Sequence, residues 1–202
     1  MTEVVLRLAR PTDAAAIQRI YGYYVENTAI TCEVAIPSMA DLTERIKKTQ
    51  QRFPYLVAML GDQVVGFAYV SPANPRYAYQ WTVETSIYVD RDCRGKHVGT
   101  KLYDMLEKIC RQMKVVNMTA HIVYPHDGQP DQHLTLASPK FHEAYGYKLA
   151  GRFYKNVYKF DKWYDMLWME KSIAQHGAAP TPIVNFNEIK AQFFNDVWPE
   201  IP

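Results

Sequence analysis

Trp81-Thr82-Val83-Glu84-Thr85-Ser86-Ile87-Tyr88-Val89, followed by Asp90-Arg91-Asp92-Cys93-Arg94-Gly95-Lys96-His97-Val98-Gly99-Thr100, is the stretch whose reading decides the fold. Its first part is β-branched and aromatic, the composition of a strand. Beyond it, Val98, Leu102, Met105, Leu106, Ile109, Cys110 and Met113 recur at three- and four-residue spacing, which is one buried face of a helix. Between the two lies a basic, glycine-bearing loop. A strand, such a loop and a helix N-terminus in series make an anion site, because unpaired backbone N–H groups and the positive end of the helix dipole converge there. Arg94 and Lys96 add mobile positive charge, so a phosphate-bearing cofactor is expected. The loop lacks the spacing of a Walker phosphate loop and that of a dinucleotide-binding turn.

The remaining composition narrows the class. With 202 residues the chain can bury one sizeable core and carry an appendage. A net charge of +2 gives no global attraction for nucleic acid. Cys32, Cys93 and Cys110 are odd in number and widely spaced, so no disulfide framework is expected; a reducing, cytoplasmic setting is. No apolar run is long enough for a membrane span, and no signal-peptide pattern is read at the N-terminus. His121, His126, His133 and His142 match no zinc spacing, so no metal site is expected.

In chain order, residues 4 to 8 read as a strand and Pro11-Thr12-Asp13 opens a helix with Ile17, Ile20, Tyr21, Tyr24 and Val25 inside. Ser38 to Asp41 begins a second helix in the manner of a capping box. Residues 55 to 60 and 63 to 70 are strands around Gly61-Asp62, the central strand and helix follow, and residues 114 to 124 make another strand. Ser138-Pro139 is read as N-cap and first turn of a short helix that Gly146 closes. Residues 147 to 160 and 163 to 169 are two last strands around Asp161-Lys162. This is a mixed α/β layout of seven strands and four helices in residues 1 to 172, followed by an extension, 173 to 202, with a short amphipathic helix from Phe186 to Val197.

That order is also the order of the GNAT acyltransferases, and Arg94-Gly95-Lys96-His97-Val98-Gly99 resembles their Arg/Gln-x-x-Gly-x-Gly/Ala loop, with His97 where the first glycine is usual. Tyr79-Gln80-Trp81-Thr82-Val83-Glu84 resembles the Tyr-x-Trp-Thr-x-Glu strand of the phosphinothricin and methionine sulfoximine acetyltransferases. Phe141-His142-Glu143-Ala144-Tyr145-Gly146-Tyr147 resembles their His-Glu-x-x-Gly-Phe/Tyr helix end, and Val157-Tyr158-Lys159-Phe160 with Trp163, Asp165 and Trp168 their last strand pair. The resemblance covers roughly residues 3 to 171. It implies the GNAT fold, a mixed sheet flanked by helices, and acetyl-CoA as cosubstrate.

The resemblance also implies roles. Glu84 becomes the base that removes the amine proton, and His142 the group that protonates the departing thiolate. Ile87, Tyr88 and Val89 become a splayed strand edge that holds the thioester and pantetheine. Arg94, Gly95, Lys96, His97, Val98, Gly99 and Thr100 become the pyrophosphate loop, with Thr135 and Ser138 beside the pantetheine arm. Thr135 stands where asparagine is usual. Arg76 and Tyr79 match the group's Arg-x-x-Tyr and would fork onto an acceptor carboxylate. Glu33 belongs to the substrate loop 27 to 33, where Cys32 replaces an aromatic residue. The acceptor implied is a small amino-acid-like amine. A different amine or protein acceptor, and a non-catalytic acyl-CoA-binding module, are the alternatives. A homodimer is implied as well, with the aromatic last strands at its interface; the tail, including Phe186, Ile189, Phe193, Phe194, Val197 and Trp198, is expected either to pack back on its own subunit or to cross onto the partner.

Overall fold

A computed structural model describes residues 3 to 194. One seven-stranded sheet runs through it: β1 (Val4–Leu8), β2 (Tyr55–Leu60), β3 (Gln63–Pro72), β4 (Thr82–Val89), β5 (Asn117–Pro125), β6 (Lys148–Lys159) and β7 (Lys162–Ser172), in the spatial order β1-β2-β3-β4-β5-β7-β6. All neighbours are antiparallel except β4 and β5. Strand alternation divides the core in two. Leu56, Ala58, Ala68 and Val83 face α3 (Val98–Gln112) and α4 (Ala137–Ala144). Tyr55, Val57 and Phe67 face α1 (Ala14–Asn27) and α2 (Met39–Gln50). The helical faces expected from periodicity are the buried ones: Ile17, Ile20, Tyr21, Tyr24 and Val25 on α1, and Val98, Leu102, Leu106, Ile109 and Cys110 on α3. Ser38 and Asp41 make the reciprocal capping box of α2.

Three local readings are corrected. Ser138 does not cap α4. The helix begins at Ala137, whose N–H donates to the Thr135 hydroxyl (3.3 Å), so the first turn is set two residues earlier, and the Ser138 carbonyl accepts from His142 Nδ1 (2.8 Å). The other end is as read: Gly146 has φ +95°, and the Tyr147 and Gly146 N–H groups return to the His142 and Glu143 carbonyls, a Schellman closure. The last hairpin turns on Phe160-Asp161 rather than Asp161-Lys162, with both residues at positive φ (52° and 55°) as a two-residue type I′ turn needs. Phe160 is held in that conformation by stacking on His133, ring centroids 3.8 Å apart. β6 is not a plain strand either. Its pairing with β7 breaks after Leu149 and between Phe153 and Val157. The cause is the buried Asp165 carboxylate, which accepts from Arg152 Nε (2.6 Å) and Lys155 N–H (2.7 Å) and pairs with His126 (2.9 Å).

The tail takes the first of the two courses expected of it and packs back. It does not leave the subunit within the described residues. Val184 N–H donates to the Met113 carbonyl (2.9 Å) and Phe186 N–H to Arg52 (3.1 Å), while Trp81 Nε1–H donates to Thr181 (2.8 Å). α5 is one turn, Phe186–Ile189, whose two named residues sit in the α3-side core. Val197 and Trp198, expected on the same apolar face, lie outside the described residues.

Candidate active site

The site begins where β4 leaves β5. The two strands pair only at Thr82–Asn117, Val83–Met118 and Glu84–Thr119. From Thr85 to Val89, β4 has no partner on that side, although β5 continues to Pro125. The vertex is held open by side chains. Thr85 Oγ1–H donates to the Thr119 carbonyl (2.9 Å), taking the acceptor a ladder would use. Around it lie Tyr103 OH (3.1 Å) and Tyr147 OH (3.2 Å), and Tyr103 reaches His142 Nε2 (2.9 Å). A splayed edge of unpaired N–H groups is able to bind a carbonyl oxygen and an amide-bearing arm.

Two clefts meet at this vertex. One, about 350 Å³, runs from Ile87 and Val89 along the α3 N-terminus to Thr135, Ala137 and Phe141. Arg94, Gly95, His97, Val98, Gly99, Thr100, Thr135 and Ser138 line it as expected. Gly95 (φ +74°) and His97 (φ +58°) both take left-handed backbone, which turns the loop so that α3 starts facing the cleft. The first intrahelical bond is Lys101 N–H to His97 (3.0 Å), so the N–H groups of Val98, Gly99 and Thr100 precede the ladder. Free amides, a fifteen-residue helix dipole and Arg94 suit a pyrophosphate, and the unpaired β4 edge suits the arm attached to it. The residues present therefore fit acetyl-CoA. Lys96 is exposed and Tyr88 turns to the opposite face of the sheet, so neither lines this cleft; strand alternation puts Ile87 and Val89 there instead.

The other cleft, about 270 Å³, opens on the α1–α2 face and contains Glu84, Ser86 and Tyr88 from β4, with His121 and Val123 from β5. Its roof is the segment after α1, through Ile30, Thr31 and Cys32. That segment is tied down by Ala29 N–H to the His133 carbonyl (2.9 Å), by Tyr21 OH and Thr31 Oγ1 (2.6 Å), and by the buried Lys159 ammonium donating to the Thr31 carbonyl (2.9 Å). Burial pushes the Cys32 thiol up, against the pull of Lys159, so it is held as the neutral thiol. Ser138 and His142 line both clefts.

Glu84 and His121 are adjacent. His121 Nδ1 lies 3.2 Å from Glu84 Oε1, and its ring stacks on Trp168 at 4.3 Å and 26°. His142 is 4% exposed. Its Nδ1 bonds the Ser138 carbonyl (2.8 Å) and burial holds its pKa below the ordinary histidine value, only partly countered by that bond. The ring is therefore neutral at neutral pH, with the proton on Nδ1 donated to the Ser138 carbonyl and Nε2 facing the Tyr103 hydroxyl.

The expected acceptor residues are not gathered here. Glu33 is paired with Arg45 on α2 (2.6 Å) and does not line the Glu84 cleft. Arg76 and Tyr79 lie on an exposed 3-10 turn, because the Ala73 N–H to Thr82 bond (3.2 Å) closes the β3–β4 loop and turns them outward. Conversely, Thr85, Tyr103, His121 and Tyr147 were missed. Tyr103 stands three before Leu106 and seven before Cys110, so helix periodicity contained it. His121 alternates with Thr119 and Val123, but only the β4–β5 register puts that face beside Glu84. Among the described residues no cluster of three metal-binding side chains occurs, and no helix is long and apolar enough to cross a membrane.

This geometry agrees with known proteins. Residues 6–168 match the family described as Acetyltransferase (GNAT) domain. A phosphinothricin N-acetyltransferase of Streptomyces viridochromogenes is 29% identical over 180 residues, 89% of this chain and 93% of that protein. An L-methionine sulfoximine/L-methionine sulfone acetyltransferase of Pseudomonas paraeruginosa is 29% identical over 181 residues, 87% of this chain and 98% of that protein. The crystal structure of a GNAT phosphinothricin acetyltransferase from Sinorhizobium meliloti, in complex with acetyl-CoA, superposes with a TM-score of 0.78 at 28% identity, covering 92% of this chain and 99% of that one. Strand splay, phosphate loop and matched relatives converge: the chain belongs to the GNAT acetyltransferase family, acetyl-CoA-dependent enzymes that transfer the acetyl group to an amine.

Proposed function

We propose that the enzyme acetylates the primary amine of a small amino-acid-like acceptor, of the phosphinothricin, methionine sulfoximine or methionine sulfone kind, with Glu84 as the base of the site. The observation that carries this reading is the β4–β5 splay, which opens immediately after Glu84 and joins the cofactor cleft to the Glu84 cleft. Acetyl-CoA supplies an activated thioester. The α3 N-terminus and Arg94 bind its pyrophosphate, and the unpaired β4 edge orients the thioester and donates to its oxygen. An alkylammonium has no lone pair, so Glu84 is needed to take its proton before attack. His142 is given a positioning part: neutral and buried, it fixes the Tyr103 hydroxyl at the vertex.

The reading extends to assembly and place. Trp163, Trp168, Tyr158 and Phe153 remain about half exposed on β6 and β7, an aromatic face that suits a two-fold partner. The free thiols of Cys32, Cys93 and Cys110 suit the cytoplasm. The test is release of free CoA thiol over a panel of amino acids, their sulfone and phosphinate analogues, polyamines and peptides, with light scattering alongside. Glu84→Gln should lower turnover about 10²- to 10⁴-fold at neutral pH, with acetyl-CoA affinity retained. A wild-type enzyme inert toward every amine excludes the reading, and a Glu84→Gln enzyme of normal rate removes Glu84 from it.

A further inference from the structure

We propose that Glu84 does not work alone: His121 is the group that receives the amine proton, and Glu84 holds it in place. This rests on the acetyl-transfer reading above and refines it: the proton assigned there to Glu84 passes to its neighbour, and Glu84 acts through that neighbour. The placement is specific. β4 and β5 run parallel with Glu84 opposite Thr119, so His121, two residues further along β5, falls on the same face just beyond the point where the strands part. Its Nδ1 is 3.2 Å from the Glu84 carboxylate. Beside a carboxylate, which only accepts, the favoured neutral tautomer has its proton on Nδ1 and its lone pair on Nε2. Nε2 has no partner among the described residues, and the ring lines the Glu84 cleft. Trp168 stacks against the imidazole, and Phe153 packs behind the indole at 5.2 Å, so the ring plane is fixed from β7 and β6. An imidazole with one nitrogen set against a carboxylate, the other free in a cleft, and its plane clamped is arranged as a general base with an orienting partner.

The step balances. An N–H bond of the acceptor ammonium breaks and its proton passes to Nε2, making an imidazolium beside the Glu84 carboxylate. The freed lone pair forms the N–C bond to the acetyl carbonyl, and the C–S bond breaks with its electrons on sulfur. The surplus proton on the new amide nitrogen neutralises the thiolate. The imidazolium returns its proton to water.

The experiment compares His121→Ala, His121→Gln, Glu84→Gln and the double variant Glu84→Gln/His121→Ala. Expected are losses of about 10²- to 10³-fold in kcat for His121→Ala, with KM for acetyl-CoA unchanged, and partial restoration by added imidazole in His121→Ala but not in Glu84→Gln. The double variant should be little worse than the worse single one, because the two groups act as a unit. His121→Ala within threefold of wild type, with Glu84→Gln impaired, overturns the proposal and leaves Glu84 as the direct base. His121→Ala impaired with Glu84→Gln at full rate overturns the pairing. Nitrogen-detected NMR of the ring provides a readout that needs no acceptor. The Nδ1–H tautomer is expected in wild type and its loss in Glu84→Gln. An Nε2–H tautomer in wild type overturns the proposal even where no amine is turned over, which separates its failure from that of the acetyl-transfer reading.

Discussion

Phe186→Ala tests whether the tail belongs to its own subunit's core. Phe186 is 1% exposed and packs in the cluster that holds Phe53, Met113, Val115 and Ile173. Its backbone N–H is bonded to Arg52, and the amides of Asn185 and Asn187 donate to the Gln51 carbonyl, so the segment also caps the C-terminal end of α2. Removing a buried phenyl ring that cannot be replaced by collapse costs about 3 to 5 kcal/mol. For a chain of this length each kcal/mol moves the melting temperature by about 2 to 4 °C, so a fall of about 6 to 20 °C is expected. The clefts lie on other elements, so kcat at 20 °C should stay within twofold of wild type. Calorimetry at several protein concentrations is the assay. A shift below about 2 °C shows that the ring is not core. A shift that grows on dilution shows that the ring is buried by a partner instead, because only an intermolecular contact responds to concentration.

Two further outcomes follow from backbone and charge. His97→Gly should keep acetyl-CoA binding and stabilise the fold by up to about 1 kcal/mol, the relief of left-handed strain less the entropy of a glycine; a tenfold weaker binding by calorimetry means the imidazole itself holds the cofactor. His142 should make the protein lose stability as pH falls. The unfolded ring protonates near the ordinary histidine value of about 6.5 while the folded ring stays neutral to lower pH, so below about pH 7 the unfolded chain binds more protons until the folded pKa is passed. Urea titrations at pH 7.5 and 5.5 should show a smaller difference for His142→Gln than for wild type, and an equal difference removes His142 as the cause.

Most of the scaffold was legible because it follows short-range rules. The α3 stripe, the Ser38–Asp41 box and the Gly146 closure each depend on residues within one or two turns of helix. The glycine-bearing loop before α3 was legible for the same reason: its free amides come from one helix end. What escaped depends on contacts across the sheet. Asp165 bends β6 through Arg152 and Lys155, which lie ten or more positions away. Phe160 tolerates positive φ because His133 stacks on it from a loop that no local pattern connects to the hairpin. His121 read only as a member of a failed metal set, since its meaning comes from a parallel register three residues long. His142 was read from its motif, yet its burial beside Tyr103, which pulls its pKa down, is something only packing reveals.

Arg76 is where sequence and geometry pull apart, and the conflict has an electrostatic consequence. Among the described residues lining the Glu84 cleft there is no lysine or arginine. The nearby Lys159 ammonium is committed to the Thr31 carbonyl. An acceptor carboxylate about 5 Å from Glu84 would then cost about 3 kcal/mol at an effective dielectric of 20, roughly a hundredfold in affinity. Yet the β3–β4 loop that carries Arg76 starts beside Glu84, since Ser71 pairs with it across the strands. A long guanidinium on that loop can cancel the repulsion by turning inward when an acceptor binds. If it does, an amino acid should be acetylated at least as well as its carboxamide by the wild type, and Arg76→Ala should raise KM for the acid about a hundredfold while sparing the amide. If the loop keeps its outward path, the amide is the better acceptor from the start and Arg76→Ala changes neither. That second result would retire the carboxylate fork and leave amines without a neighbouring carboxylate as the acceptors this cleft selects.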